Sequence, residues 1–147
     1  MTEFEAITAG SSAIVALFAG IALIVGVRQV HISREVSALS AYESYHIACL
    51  QYPEFAGGMT DWRRASSQRR DCYTTFVLFA LMTGERVLKL FPRDDTWIYA
   101  VKDDIRLHRD IIGSDEFRGY RDHQDPLIRQ LIEEVVDEPQ APARDGA

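Results

Sequence analysis

The 147-residue chain has little cysteine, proline or glycine, with 2, 5 and 9 of them. Two cysteines as far apart as Cys49 and Cys72 do not make a disulfide scaffold, and so little Gly and Pro excludes collagen-like and low-complexity chains. Basic residues are in the minority, 16 against 22 acidic ones, for a formal charge of −6. A phosphate surface rewards the opposite balance, so no nucleic acid is expected among the partners. A strand pattern, an internal repeat and a long linker are all lacking, and the length allows one domain. The expected fold class is therefore all-α.

Charge is also missing from one place in particular. From Ala6 to Val27 there are 22 consecutive uncharged residues, whose only polar members are Thr8, Ser11 and Ser12. As a helix this run spans about 33 Å, enough to cross a hydrocarbon core of roughly 30 Å. A buried helix of a soluble protein would need other segments on all sides, and the rest of the chain is too small and too charged to supply them. A cleaved signal would carry a positive n-region, whereas this run follows Glu3 and Glu5 and precedes Arg28 and Arg34. All Lys and Arg lie on its C-terminal side, so the positive-inside rule puts the N-terminus outside and residues 28–147 in the cytosol. The expectation is a single-pass protein of the inner (plasma) membrane with a cytoplasmic C-terminal domain. Within the run, Ser12, Ala16 and Gly20 recur at four-residue intervals, a spacing of small residues that lets helices approach closely in lipid.

No Gly or Pro follows Val27 until Pro53, so the membrane helix is expected to continue as a stalk over 28–52. Ile32, Val36, Leu39, Tyr42, His46, Cys49 and Leu50 read as its apolar stripe, able to pack on the domain or on a second copy. PEFAGGMT, residues 53–60, reads as a break. A second helix is expected from about Asp61 or Ser66 to Phe91. Its apolar centre, Phe76 to Met82, lies in an uncharged window of only 13 residues between Asp71 and Glu85, too short to span a bilayer, so it reads as the core helix. Pro92 ends it, and Asp94 or Asp95 caps a third helix whose stripe runs from Trp97 and Ile98 through Val101, Ile105 and His108 to Ile112, closed by Gly113. Ser114 caps a short helix through Phe117 and Tyr120, and Asp125 with Pro126 starts the last one, striped by Leu127, Ile128, Leu131, Ile132, Val135 and Val136. The divisions are thus a short extracytoplasmic N-terminus at 1–5, a transmembrane helix at 6–27, a stalk at 28–52, a small cytosolic helical bundle at 53–138 and a disordered tail at 139–147.

Catalytic signatures are sparse. His108, Arg109 and Asp110 spell the kinase catalytic-loop tripeptide, but the metal-binding Asn five residues on is Asp115, and there is no Gly-rich phosphate loop. The four histidines and two cysteines show no metal-ligand spacing, and no cofactor is expected. Cys49 and Cys72 read as buried free thiols. The pairs Asp94–Asp95, Asp103–Asp104 and Glu133–Glu134 are adjacent on helices and so point apart, which suits solvated faces and caps. Glu85 and Arg86 interrupt an apolar helix and read as a partly buried polar site, closed as an ion pair. Arg63, Arg64, Arg69 and Arg70 form the basic cluster, suited to an anionic membrane surface, with Trp62 beside it at an interfacial position.

The N-terminal span running into RQVHISREVSALSAYESYHIACLQYPEF, then TTFVLFALMTGERVLKLF, DDTWIYAVKDDIR and SDEFRGYRDHQDPLIRQLI, resembles a broad group of small bacterial membrane-anchored helical proteins known as a domain of unknown function. Pro53, Glu85, Trp97 and the Tyr120 to Leu127 stretch carry the likeness, which covers about residues 7–136. It implies the anchor and the fold, and no activity. The expected function is a non-enzymatic, membrane-anchored interaction or accessory protein, partnered by the lipid bilayer and by itself or a larger membrane assembly. The alternative is a small membrane-bound enzyme or ligand sensor with Glu85, Arg86, His108 or Asp104 around a pocket.

Overall fold

The computed structural model describes residues 3–139, and their side chains from Val15 onward. Every regular element among them is helical. Helix α1, Glu3–Gln51, is followed by α2 (Pro53–Ala56), a 3-10 turn at Trp62–Arg64, α3 (Ser67–Leu90), α4 (Asp95–Leu107), α5 (Arg109–Ile112), α6 (Arg118–Arg121) and α7 (Pro126–Asp137). The chain divides inside α1 into two compact units, one ending at Ser37 and one starting at Ala38.

The first unit is helix alone. Leu17, Phe18, Leu23 and Ile24 are each more than 60% exposed. Its stretch from Val15 is long and apolar enough to cross a membrane.

The second unit starts with the last turns of α1. Ala38, Ala41 and Tyr45 are buried there, Ala38 and Ala41 against Val87 of α3, and Tyr45 against Phe76 with ring centroids 5.9 Å apart. This corrects the expected stripe. Leu39 and Leu50 are 59% and 83% exposed, and Ile32, Val36 and His46 are exposed too. Alanine is what lets α1 and α3 approach, and Tyr45, with the half-buried Tyr42 and Cys49 of the expected stripe, also packs on the domain.

Caps begin the other helices. The Ser66 hydroxyl accepts the Arg69 N–H at the start of α3, Asp94 accepts from Thr96 and Trp97 before α4, and Asp125 accepts from Leu127 before the Pro126 turn. Such a cap contributes about 1 kcal/mol. Between α1 and α3 the break contains α2, and Gly58 at φ +81 presses its backbone on Leu107, where an added Cβ would sit 2.1 Å from the carbonyl oxygen.

Helix α3 runs antiparallel to α4. Gly84 lies under Val101, and Tyr73 reaches His108 at the far end. Helix α7 runs parallel to α4, tied by Lys102 to Glu134 and by a two-pronged bond from Arg106 to Glu138 at 2.8 and 3.0 Å. Val77, Leu88, Ile105, Ile112, Ile128, Ile132 and Val135 are essentially without solvent contact between these helices.

The third helix does not continue to Ile112 as expected. It stops at His108, whose backbone turns away (φ −110, ψ 16), and α5 restarts at Arg109. The buried imidazole is held from α3, and that tertiary contact overrides the helical pattern. Of the expected tail only Pro139 is described, and it is exposed; residues 140–147, with Met1 and Thr2, lie outside the described residues.

Candidate functional site

The stripe of α4 carries two polar groups inward. Tyr73, 1% exposed, accepts the Met59 N–H at 2.9 Å, and its hydroxyl is hydrogen-bonded with His108 Nδ1 at 3.0 Å. The other ring nitrogen, Nε2, has no hydrogen-bond partner among the described residues. Tyr73 and Phe76 both meet the ring edge-on at 5.7 Å. Burial drives the His108 pKa down to about 4, because an imidazolium there would lose its hydration.

One turn earlier, Asp104 accepts the Tyr42 hydroxyl at 3.0 Å and is half-buried. Burial raises its pKa, and the Tyr42 and Tyr45 hydroxyls partly offset that by bonding the carboxylate. Burial also pushes both phenols well above their usual range, with the nearby Asp104 charge adding to it. The Asp103–Asp104 pair is therefore split, Asp103 being exposed as on a solvated face while Asp104 belongs to an inner polar layer.

Asp104 and His108 border one cavity, with Val77, Ala80, Val101 and Ile105 among its walls. Its volume is about 10 Å³. That is room for one water molecule, against several hundred Å³ for an ordinary small-molecule pocket. The layer acts as a polar core linking α1, α3 and α4, not as a substrate chamber.

Glu85 and Arg86 do not join it. Glu85 is half-buried and pairs with Lys89, one turn on, which also lies 3.8 Å from Asp125. Arg86 is exposed, on a different side of α3.

The four arginines sit at the start of α3 and on the turn before it. Arg63, Arg64 and Arg69 are exposed, and Arg70 is half-buried beside Asp71, in a hollow that also holds Glu116. Trp62 is not at a surface. It is 3% exposed in the core, with the Arg63 guanidinium 5.2 Å from its ring centre. Cys72 likewise corrects its expectation, being exposed, while Cys49 is half-buried.

In the apolar span, Ala16 and Gly20 are exposed, and a Cβ added at Gly20 would touch nothing within 4 Å. The Ser12 side chain lies outside the described residues.

The surface between α1 and α3 is a feature the sequence reading passed over. A groove of about 390 Å³ is walled by Ala48, Tyr52, Phe55, Cys72, Phe76 and Phe79. A hollow of about 230 Å³, lined by Ser40, Ser44, Met82 and Arg86 among others, continues it across the shared Phe79. The available signal was the phase of α3. Phe79 and Met82 fall one turn apart on the face opposite Val77, Ala80 and Leu81.

No protein-family model, curated protein or solved structure matches the chain.

Proposed function

We propose that the chain is a membrane-anchored, non-enzymatic interaction or accessory protein, held by one helix in the inner (plasma) membrane with its helical domain in the cytosol. The observation that carries this reading is the exposed apolar surface of α1. Val15, Leu17, Phe18, Leu23, Ile24 and Val25 each show more than half of their surface. Covering one such side chain is worth about 1.5–3 kcal/mol, so the six together favour lipid by roughly 10 kcal/mol or more. Arg28 and Arg34 follow the span, and no Lys or Arg precedes it, which supports the cytosolic side for the domain.

The domain is built to be recognised more than to react. Its enclosed polar groups converge on about 10 Å³, while its open apolar surface lies between α1 and α3. The four arginines Arg63, Arg64, Arg69 and Arg70 add attraction to an anionic leaflet of about 1 kcal/mol each when close to it. Alkaline carbonate extraction of membranes, followed by crosslinking of the detergent-purified chain and mass spectrometry, tests this reading. Retention in the pellet and a reproducible crosslinked partner are expected. Release into the supernatant, or a strictly monomeric chain with no partner, overturns it.

A further inference from the structure

His108 Nε2 is the atom of the inner polar layer that no described residue meets. The ring is 1% exposed, and a buried polar nitrogen left without a partner is costly enough to be rare in folded proteins. The direction of Nε2 follows from the other ring nitrogen. Nδ1 is held by the Tyr73 hydroxyl near the start of α3, and the two nitrogens of an imidazole look to different sides of the ring. Nε2 is thereby turned toward the turns of α3 that follow Tyr73. The cavity of about 10 Å³ lies there, bordered by His108 itself and by Val77 and Ala80, one and two turns past Tyr73. Asp104 borders it as well, one turn before His108 on α4.

We propose that this cavity is a binding site for one water molecule, which bridges His108 Nε2 and the Asp104 carboxylate. Its volume fits a single water and nothing larger, and two polar partners are the least that an enclosed water needs. The two partners take opposite roles. The Tyr73 oxygen already accepts the Met59 N–H, so its own proton is the one directed at Nδ1, and the proton of the neutral ring sits on Nε2. Nε2 donates that proton to the water, and the water donates to Asp104. A carboxylate has about four acceptor sites, and the Tyr42 hydroxyl, at 3.0 Å from Oδ2, leaves room for a further donor. The water then joins two separate pairs, Tyr73 with His108 and Tyr42 with Asp104, into one run of hydrogen bonds from Met59 through α3 and α4 to the end of α1. The site lies inside the domain and does not depend on the anchor.

The test is nuclear magnetic resonance on the full chain in detergent micelles, with isotope-labelled histidine and aspartate. The ring hydrogen Hδ2 of His108 flanks Nε2 and not Nδ1, so the Tyr73 hydroxyl does not reach it. A long-lived water there gives an Overhauser contact of opposite sign in the laboratory and rotating frames. Such a contact is expected at His108 Hδ2 and at the Asp104 Hβ hydrogens, together with a ring protonated on Nε2. Ala80→Val fills the cavity and should abolish both contacts; if that variant does not fold, the unaltered chain decides the matter alone. No long-lived contact at Hδ2, a contact there without one on Asp104, or a ring protonated on Nδ1 overturns the bridge. Contacts that survive in a folded Ala80→Val chain overturn it too, because the water would then lie elsewhere.

Discussion

The Tyr73 hydroxyl lies 3.0 Å from His108 Nδ1, and this bond joins the start of α3 to the point where α4 ends. It also accepts the Met59 N–H, so one hydroxyl fixes three segments. Tyr73→Phe leaves a buried imidazole nitrogen and a backbone N–H without this partner. The expected loss is about 1–3 kcal/mol of unfolding free energy, read by urea denaturation.

The same histidine sets a pH dependence. Its folded pKa of about 4 lies below the unfolded value of about 6.5, so the unfolded chain binds the proton more readily. The stability tied to the neutral ring is complete above pH about 6.5 and is lost as pH falls toward 4, by up to about 3 kcal/mol. Asp104 has the opposite sign. Its folded pKa is raised, so its ionisation destabilises the fold as pH climbs above the ordinary carboxylate range. His108→Leu should therefore flatten the acid side of the stability curve between pH 6.5 and 4, and Asp104→Asn should steepen it. Denaturation midpoints taken at half-unit pH steps check both signs.

Two glycines hold backbone close to other elements. Gly58→Ala puts a Cβ into the Leu107 carbonyl at positive φ and should cost about 2 kcal/mol or more, with no relief from side-chain changes. Gly84→Ala meets side chains alone, Val101 at 2.9 Å and Ile128 at an ordinary 3.7 Å. It should cost about 1–3 kcal/mol, and Val101→Ala should recover part of that loss in a double-mutant cycle.

The links from α4 and α5 to α7 and its end are unequal. Lys102–Glu134 and Arg106–Glu138 are partly exposed pairs, so Lys102→Met or Arg106→Met should change stability by no more than about 1 kcal/mol, and less in high salt. Arg109 donates to the Val136 and Glu138 carbonyls at the end of α7. Arg109→Ala should fray that end, read as faster hydrogen exchange over residues 133–138, while the start of α7 stays protected.

Much of this architecture was legible from local chemistry. A short polar side chain before an apolar stripe satisfies free N–H groups, which makes Asp61 or Ser66, Asp94 or Asp95, and the Asp125–Pro126 pair legible as helix starts; Ser66, Asp94 and Asp125 are the ones whose side chains cap α3, α4 and α7. The α7 stripe is legible because it is apolar on one face only. What stayed hidden depends on contacts distant in sequence. Ala38 and Ala41 add little to a hydrophobic pattern, yet they face the domain because their size admits Val87, while the larger Leu39 and Leu50 turn away. The break at His108 needs Tyr73, 35 residues earlier. Glu85 was coupled to Arg86 by adjacency, but neighbours on a helix point apart, and the residue one turn on, Lys89, takes the carboxylate. Trp62 beside four arginines read as interfacial, and only the packing reveals its indole in the core.

The apolar span should answer to a single charge. Leu17→Arg places a cation near the middle of the run at a cost of about 2.5–3.5 kcal/mol for insertion. The variant should shift from the membrane to the soluble or degraded fraction, whereas Leu17→Ile should not, as checked by fractionation and immunoblot.

The most direct measurement of the central claim is the labelling of Cys72 in spheroplasts. Cys72 is exposed on the domain, and a Cys49→Ser background makes it the only thiol. Labelled with a membrane-impermeant maleimide, a chain anchored by α1 with its domain in the cytosol stays in the carbonate-washed pellet and reacts only after the membrane is permeabilised. Reaction in sealed spheroplasts, or a chain recovered in the supernatant, contradicts the account.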